Sequence, residues 1–131
     1  MTLDPPKPAL AGRPALLLVD DEAALLDAVR EGLSSQFEIE TVKSAAEAEA
    51  RMAARKYAVV VCDHILPGEA GLDFLVRMRE VHPETRRILV TGYMNPELLS
   101  RSIAVAELSA CLIKPVPMAA LAQAVHAAMG R

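Results

Sequence analysis

The chain has 131 residues, 53% of them apolar, with two Tyr, two Phe and no Trp. A chain of this length forms one domain that buries roughly two thirds of its unfolded surface, here around an aliphatic, alanine-rich core. The net charge of −3 and the lack of a basic run argue against direct binding of DNA or RNA. No apolar stretch approaches the roughly 18–20 residues of a membrane helix, so we expect a cytoplasmic protein.

The first residues differ in composition from the rest of the chain. Met1 to Pro14 carry four prolines and no apolar segment long enough for a signal peptide. We therefore expect a disordered leader over residues 1–13 and a single domain over residues 14–130. Two cysteines, Cys62 and Cys111, lie inside apolar runs. A redox pair is one interpretation, but small core side chains in a reducing cytosol are the better one.

Strand and helix patterns alternate along the domain. In chain order, the first half predicts a strand over Ala15–Val19, a helix from about Glu22 to Ser35, a strand over Phe37–Val42, a helix from Ser44 to about Arg55 and a strand over Ala58–Cys62. The second half predicts a helix from Gly71 to about His82, a strand over Arg87–Thr91, a helix from Pro96 to about Glu107, a strand over Ala110–Ile113 and a helix over Pro117–Met129.

Local signals support these boundaries. Ser44 and Glu47 form a capping-box pattern, and Asn95 followed by Pro96 is a typical helix start. Glu22 precedes the first helix, where we expect it to act as a cap. The alternation in Phe37–Val42 predicts a strand with one wetter face, formed by Glu38, Glu40 and Val42.

Five strands and five helices in strict alternation predict an α/β fold. Short loops between them favour a parallel sheet with helices on both faces. Right-handed crossovers leave few topologies, and we expect a flavodoxin-like, doubly wound (βα)5 fold with strand order 2-1-3-4-5. Functional groups in such sheets gather beyond the carboxyl ends of the strands.

Polar side chains follow four of the five predicted strands: Asp20, Asp21, Asp63, Thr91 and Lys114. Carboxylates a few ångströms apart repel, so a cation must keep them ionised. With oxygen ligands alone, Mg2+ is the natural choice, and we assign Asp20 and Asp21 as its holders. A carboxylate can also act as a nucleophile toward phosphorus, a role that we assign to Asp63. Lys114 could then reach an acidic oxygen or the phosphoryl group, and the Thr91 hydroxyl could bond a phosphoryl oxygen.

Four motifs in this order resemble the receiver domain of bacterial two-component response regulators. They are Leu18-Val19-Asp20-Asp21-Glu22, Asp63-x-x-x-Pro67-Gly68, Thr91-Gly92 and Lys114-Pro115, and the resemblance covers about residues 14–130. It implies Mg2+ dependence, with the Ile65 carbonyl as a further metal ligand, and phosphorylation of Asp63 by a histidine kinase or phosphotransfer protein. It also implies a switch in which Thr91 moves toward the phosphoryl group. The domain would not be an enzyme beyond assisting its own phosphorylation and dephosphorylation.

Two departures from the family pattern bear on this switch. The family usually has Tyr or Phe three positions before the lysine, and this chain has Cys111. Tyr93 is the nearby aromatic candidate for the missing reporter, although a partly exposed loop residue is the simpler interpretation. Ile65 and Tyr93 would flank the phosphoryl group and obstruct water, which predicts a long-lived aspartyl phosphate.

The resemblance also implies two partner surfaces. Kinase contacts are expected on the first helix around Ala23, Asp27 and Arg30, and on the loop Pro115–Pro117. A downstream target, an output domain or a second copy of the chain would use the face of the fourth helix, fifth strand and fifth helix. We assign to it Leu98, Arg101, Val105, Cys111 and Leu121.

Other functions remain as alternatives. A phosphorylation-independent pseudo-receiver would use the same fold as a binding module, but such domains typically lose acids or the lysine. A small phosphatase would be expected to carry further catalytic groups or a cap domain. A flavodoxin-like enzyme would need a phosphate-cradling loop after the first strand, where Asp20 and Asp21 would repel the cofactor. His64 is a further candidate proton donor or phosphocarrier, although we expect a solvent-facing loop residue.

Overall fold

The computed structural model describes residues 12–92 and 95–130. The predicted leader therefore lies almost entirely outside the described residues, as does Tyr93. The described strands are β1 Ala15–Val19, β2 Glu38–Val42, β3 Val59–Asp63, β4 Arg86–Thr91 and β5 Ala110–Ile113. The described helices are α1 Ala23–Leu33, α2 Ala45–Ala54, α3 Gly71–Val81, α4 Pro96–Ala106 and α5 Met118–Ala128.

The five strands form one parallel sheet with the order β2-β1-β3-β4-β5. This confirms the predicted flavodoxin-like topology. The strands are in register at their carboxyl ends, where Val19 pairs with Cys62, Asp63 with Val90 and Thr91 with Ile113. The polar residues that follow or end these strands are thereby brought to a single edge of the sheet.

Helices cover both faces of the sheet, and each face has its own apolar core. On one face, α2, α3 and α4 pack against β-strand side chains that include Leu17, Val60 and Leu89. On the other, α1 and α5 pack against Leu18 and Val61. Because the central strands are buried on both faces, they read as continuous apolar runs instead of alternating ones.

Side-chain caps fix the starts of two helices. The Ser44 hydroxyl accepts from the Glu47 N–H at 3.1 Å, and the Glu47 carboxylate accepts from the Lys43 N–H at 2.8 Å. The Asn95 side chain likewise accepts from the Leu98 N–H at 2.9 Å. Glu22 occupies the N-cap position of α1 as expected, but its side chain makes no capping bond.

The wetter face predicted for β2 was also wrong at Val42. This residue is buried, whereas Glu38 and Glu40 on the same side are half-buried and paired with Arg55 at 3.2 and 2.6 Å. Those ion pairs join β2 to the end of α2. The acidic side chains of β2 are therefore partly covered by Arg55 and do not form a fully solvent-exposed face.

The sequence pattern did not predict a buried cation near the amino end of β4. Arg87 is 4% exposed, and its guanidinium donates to the carbonyls of Ala106, Glu107, Thr85 and Pro83. Carbonyls at a helix end lack intrahelical donors, so this side chain satisfies the end of α4. Burial lowers the pKa of the Arg87 guanidinium, although Glu107 raises it in part.

No helix in the described ranges is long and apolar enough to cross a membrane.

Candidate phosphoacceptor site

Three carboxylates meet at the carboxyl edge of the sheet. Asp63 is the last residue of β3, and Asp20 and Asp21 directly follow β1. Ligand oxygens of the three side chains all lie within 4.8 Å of one another. Asp20 and Asp63 are 3% and 7% exposed, while Asp21 is exposed. Oxygen donors at this spacing, with one open side, fit a hard divalent cation that keeps several of its waters.

Lys114 compensates part of this negative charge. Its ammonium donates to Asp63 Oδ1 at 2.9 Å and lies 3.7 Å from Asp20 Oδ2. Burial alone would lower the pKa of Lys114, but its hydrogen bond to Asp63 and the nearby carboxylates outweigh burial, and the pKa is raised. The Lys114 N–H donates to the Thr91 carbonyl at 2.8 Å, which fixes the backbone beside β4. The Lys114–Pro115 peptide bond is cis.

The environment of Asp20 disfavours the charged form of its carboxyl. Burial raises the pKa of its carboxyl; the Glu22 N–H, which donates to Oδ1 at 2.9 Å, lowers it, and the charge on Asp63 raises it again. The net pKa is raised, although Lys114 also lowers it in part. A negative charge at Asp20 is therefore incompletely compensated, and a bound cation would stabilise it.

Thr91 and Ile65 flank this cluster in different ways. Thr91 ends β4 next to the strand that carries Asp63 and is 2% exposed. The Ile65 side chain is 73% exposed, and Ile65 forms an isolated antiparallel bridge with Ala70 that closes the loop after Asp63. All the predicted site residues thus lie at the same edge of the sheet, with Tyr93 outside the described residues.

Gly71 is a positioning residue that sequence reasoning missed. Its N–H donates to the His64 carbonyl at 2.7 Å, which brings the start of α3 against the end of β3. A Cβ at this position would lie 2.0 Å from the Asp63 carbonyl oxygen and 3.0 Å from the His64 Cα. Only glycine permits this approach. A glycine at the first position of a helix, after a loop containing a candidate nucleophile, was the available signal.

His64 is half-buried, so the expectation of a solvent-facing loop residue is met only in part. Its N–H donates to the Val90 carbonyl at 2.8 Å, so the backbone continues along the sheet beyond Asp63. The ring is half-buried, and its Nδ1 is buried without a hydrogen-bond partner among the described residues. The strand pairing continues one residue further than expected and keeps this side chain against the protein.

The two cysteines occupy one row of the sheet. Cys62 pairs with Leu89, which pairs with Cys111 on its other side. Two strand spacings separate their Cα atoms by about 9.5 Å, beyond the reach of a disulfide. Both thiols are free, and burial raises the pKa of each, Cys62 well above its ordinary value. This arrangement argues against a redox pair within one chain.

The two predicted partner surfaces are only partly exposed. Ala23, Asp27 and Arg30 are exposed on α1, although the Arg30 guanidinium donates to the Thr41 hydroxyl at 2.7 Å. On the other surface, Leu98, Arg101 and Val105 are exposed and Cys111 is half-buried. Leu121 was wrongly assigned to that surface: it faces inward and is buried between α5 and the sheet.

The chain is similar in sequence to known proteins. Residues 16–126 match the family described as response regulator receiver domain. The hydrogenase transcriptional regulatory protein HoxA of Cupriavidus necator is 37% identical over 100 residues, which are 76% of this chain and 21% of that protein. This chain therefore spans about a fifth of the length of that relative.

Solved structures agree with the sequence match. The signal receiver domain of an HD domain-containing protein from Pseudomonas fluorescens Pf-5 is 29% identical, with a TM-score of 0.82 over 90% of this chain and 88% of that one. A CheY-like receiver domain protein from Methanospirillum hungatei JF-1 is 27% identical, with a TM-score of 0.83 over 90% and 94% of the two chains. The chain therefore belongs to the response regulator receiver domain family.

Proposed function

We propose that this chain is the phosphoacceptor domain of a two-component phosphorelay, with Asp63 receiving a phosphoryl group from a histidine kinase or a phosphotransfer protein. The observation that carries the proposal is the 2.9 Å contact between the Lys114 ammonium and Asp63 Oδ1 inside a group of three carboxylates. A site that only bound a metal would need carboxylates alone. An ammonium in contact with one of those carboxylates can also bind an incoming anion such as a phosphoryl group.

The transfer needs little more than positioning and charge compensation. A carboxylate oxygen of Asp63 attacks phosphorus, and the P–N bond to the donor histidine breaks with its electron pair going to the imidazole nitrogen. Lys114 moves from the free carboxylate to the added phosphoryl oxygens. Thr91, at the end of the neighbouring strand, would supply a hydroxyl donor to the same oxygens.

Asp20, Asp21, Asp63 and the Ile65 carbonyl would hold Mg2+ at this site. Bound there, Mg2+ would neutralise charge on the phosphoryl oxygens during transfer. The raised pKa of Asp20 supports a cation in this position, because burial leaves that carboxylate short of compensating charge.

The signal would leave through the face of α4, β5 and α5. Leu98, Ile103, Val105 and Ile113 are exposed aliphatic side chains on α4 and β5. Such side chains support a contact with a downstream protein, an output domain or a second copy of this chain. With Cys111 in place of an aromatic reporter, a change at Thr91 would reach this face through α4.

Beryllofluoride, which mimics a phosphoryl group on a carboxylate, tests the proposal. In the presence of Mg2+, 19F NMR should show a bound species for the full chain, and Asp63→Asn should abolish it. Asp73→Asn is the matched control, because Asp73 is exposed in the first turn of α3 and should leave binding intact. A folded chain that binds no beryllofluoride would instead support a phosphorylation-independent binding module.

A further inference from the structure

An apolar cavity of about 480 Å³ lies beneath the carboxylates, on the face of the sheet that α1 and α5 cover. Its floor consists of side chains from three neighbouring strands, Leu18, Val61 and Val90. Small-molecule sites typically enclose roughly 300–1,000 Å³ and combine apolar walls with a few polar groups at one end. The cavity has this composition.

Two side chains of the cavity wall are partly exposed. Leu25 on α1 is half-buried, as is Met118 at the start of α5. Met118 also lies against α1 at Gly32, where even a Cβ would come within 2.9 Å of its Cγ. Methionine has three rotatable bonds and commonly lines adaptable binding surfaces.

The rim of the cavity carries an excess of negative charge. Asp20, Glu22 and Asp63 contribute three carboxylates, and Lys114 contributes one ammonium. Among these lining residues, the difference amounts to two negative charges beside an apolar surface. A ligand that matches both parts has an apolar body and a cationic head.

We infer that this cavity binds small amphiphilic amines, with the hydrocarbon part between α1, α5 and the sheet and the ammonium group at the carboxylate rim. Such a ligand would compete with a divalent cation, because both would bind the same carboxylates at the rim. This second consequence rests on the proposed function, whereas binding to the metal-free chain does not.

A homologous series of amines tests the inference on the full chain without metal. Propylamine, butylamine, pentylamine and hexylamine are titrated and followed by methyl NMR. Each added methylene should strengthen binding about fourfold while room remains. The resonances that shift should be those of Leu18, Val61 and Leu121. Hexanol and hexanoate, which lack the positive charge, should bind more weakly than hexylamine.

Two variants with the same substitution separate the cavity from the acidic surface. Leu25→Phe adds bulk to the cavity wall and should weaken hexylamine binding at least several-fold. Leu72→Phe, at a half-buried position in the opposite core, should leave it unchanged. Affinity that does not depend on chain length, or that survives Leu25→Phe, would mean binding to surface carboxylates alone and would overturn the inference.

Titrations with Mg2+ distinguish a failure of this inference from a failure of the proposed function. Hexylamine should raise the apparent Kd for Mg2+, and Mg2+ should raise the Kd for hexylamine by the same factor. If Mg2+ does not bind at all, the proposed metal site fails and the metal-free titration still decides the cavity. If both bind without affecting each other, the ammonium does not lie at the rim and the inference is wrong.

Discussion

The Lys114 ammonium contacts Asp63 Oδ1 at 2.9 Å. The same ammonium is 3.7 Å from Asp20, so one cation is shared between two buried acids. Since both acids are almost fully buried, removing this cation leaves two carboxylates facing each other in a medium that screens poorly.

Lys114→Met should therefore destabilise the metal-free chain and strengthen Mg2+ binding. We expect the free energy of unfolding to fall by roughly 1–3 kcal/mol, between the values for exposed and buried ion pairs. Chemical denaturation with and without Mg2+ measures both effects. Lys114→Arg retains the charge and should show much less of either, and weaker Mg2+ binding in Lys114→Met would contradict the prediction.

Asp20→Asn should stabilise the metal-free chain at neutral pH. The folded-state pKa of Asp20 is raised above its ordinary value of 3.8, so the folded chain favours the protonated carboxyl. The stability that this protonated carboxyl contributes is fully present below pH 3.8. The contribution is lost as the pH rises through the folded-state pKa. The advantage of the variant in thermal unfolding should thus shrink as the solution is acidified.

Mg2+ provides the second readout for Asp20. Adding Mg2+ should raise the melting temperature of the natural chain more than that of Asp20→Asn, because the variant lacks one charged ligand. Asp73→Asn serves as the control in both measurements. An identical pH dependence in the natural chain and Asp20→Asn would count against the assigned environment of Asp20.

Gly71→Ala should disturb both folding and phosphorylation. The added methyl would lie 2.0 Å from the Asp63 carbonyl oxygen, so α3 must move away from β3 at a cost of about 1–3 kcal/mol. Gly12→Ala is the matched control, since it lies outside the site motifs and a Cβ there meets nothing within 4 Å. Urea denaturation and beryllofluoride binding should be impaired in the first variant only; equal stability of the two would show that the backbone relaxes freely.

Ile65→Asn should shorten the lifetime of the aspartyl phosphate. The exposed Ile65 side chain presents an apolar surface beside the site, whereas an amide at this position could orient a water molecule toward phosphorus. Loss of label from the phosphorylated chain measures the rate. The substitution should barely affect stability because the side chain is largely exposed, and an unchanged half-life would show that Ile65 does not shield the phosphate.

Arg30→Glu should slow phosphotransfer from the cognate kinase without weakening beryllofluoride binding. Arg30 is exposed on α1, ten residues beyond Asp20, and its guanidinium donates to the Thr41 hydroxyl. Reversing its charge changes the surface that a kinase would contact and leaves the carboxylates intact. Equal transfer kinetics for the natural chain and the variant would remove α1 from the kinase interface.

Strand periodicity predicted most of the fold because the runs are continuous and end at polar residues. The limits of β1 and β5 match the prediction to the residue. The clustering of the site side chains could also be predicted, since the carboxyl ends of parallel strands share one edge of the sheet. These side chains are Asp20, Asp21, Asp63 and Lys114. The alternation in β2 misled at Val42 because that side chain packs into the apolar core covered by α2 and α3. Arg55, from another element, covers the acidic side chains of the same strand.

Features that depend on packing between distant segments were not predictable. The restriction at Gly71 arises from the approach of α3 to the Asp63 carbonyl, and the burial of Arg87 depends on where α4 ends. The apolar cavity likewise reflects the spacing between α1 and α5. None of these relationships has a local pattern in the chain.

The row that joins Cys62 to Cys111 has a practical consequence. Cys62 is fully buried and the pKa of its thiol lies well above the ordinary value, so it resists alkylation at neutral pH. Cys111 is half-buried at the position where receiver domains usually have an aromatic side chain. Burial also raises the pKa of the Cys111 thiol, but less than that of Cys62. At alkaline pH, a fluorinated or fluorescent reagent would therefore label Cys111, next to the α4 face, in preference to Cys62, and provide a spectroscopic probe without any mutation.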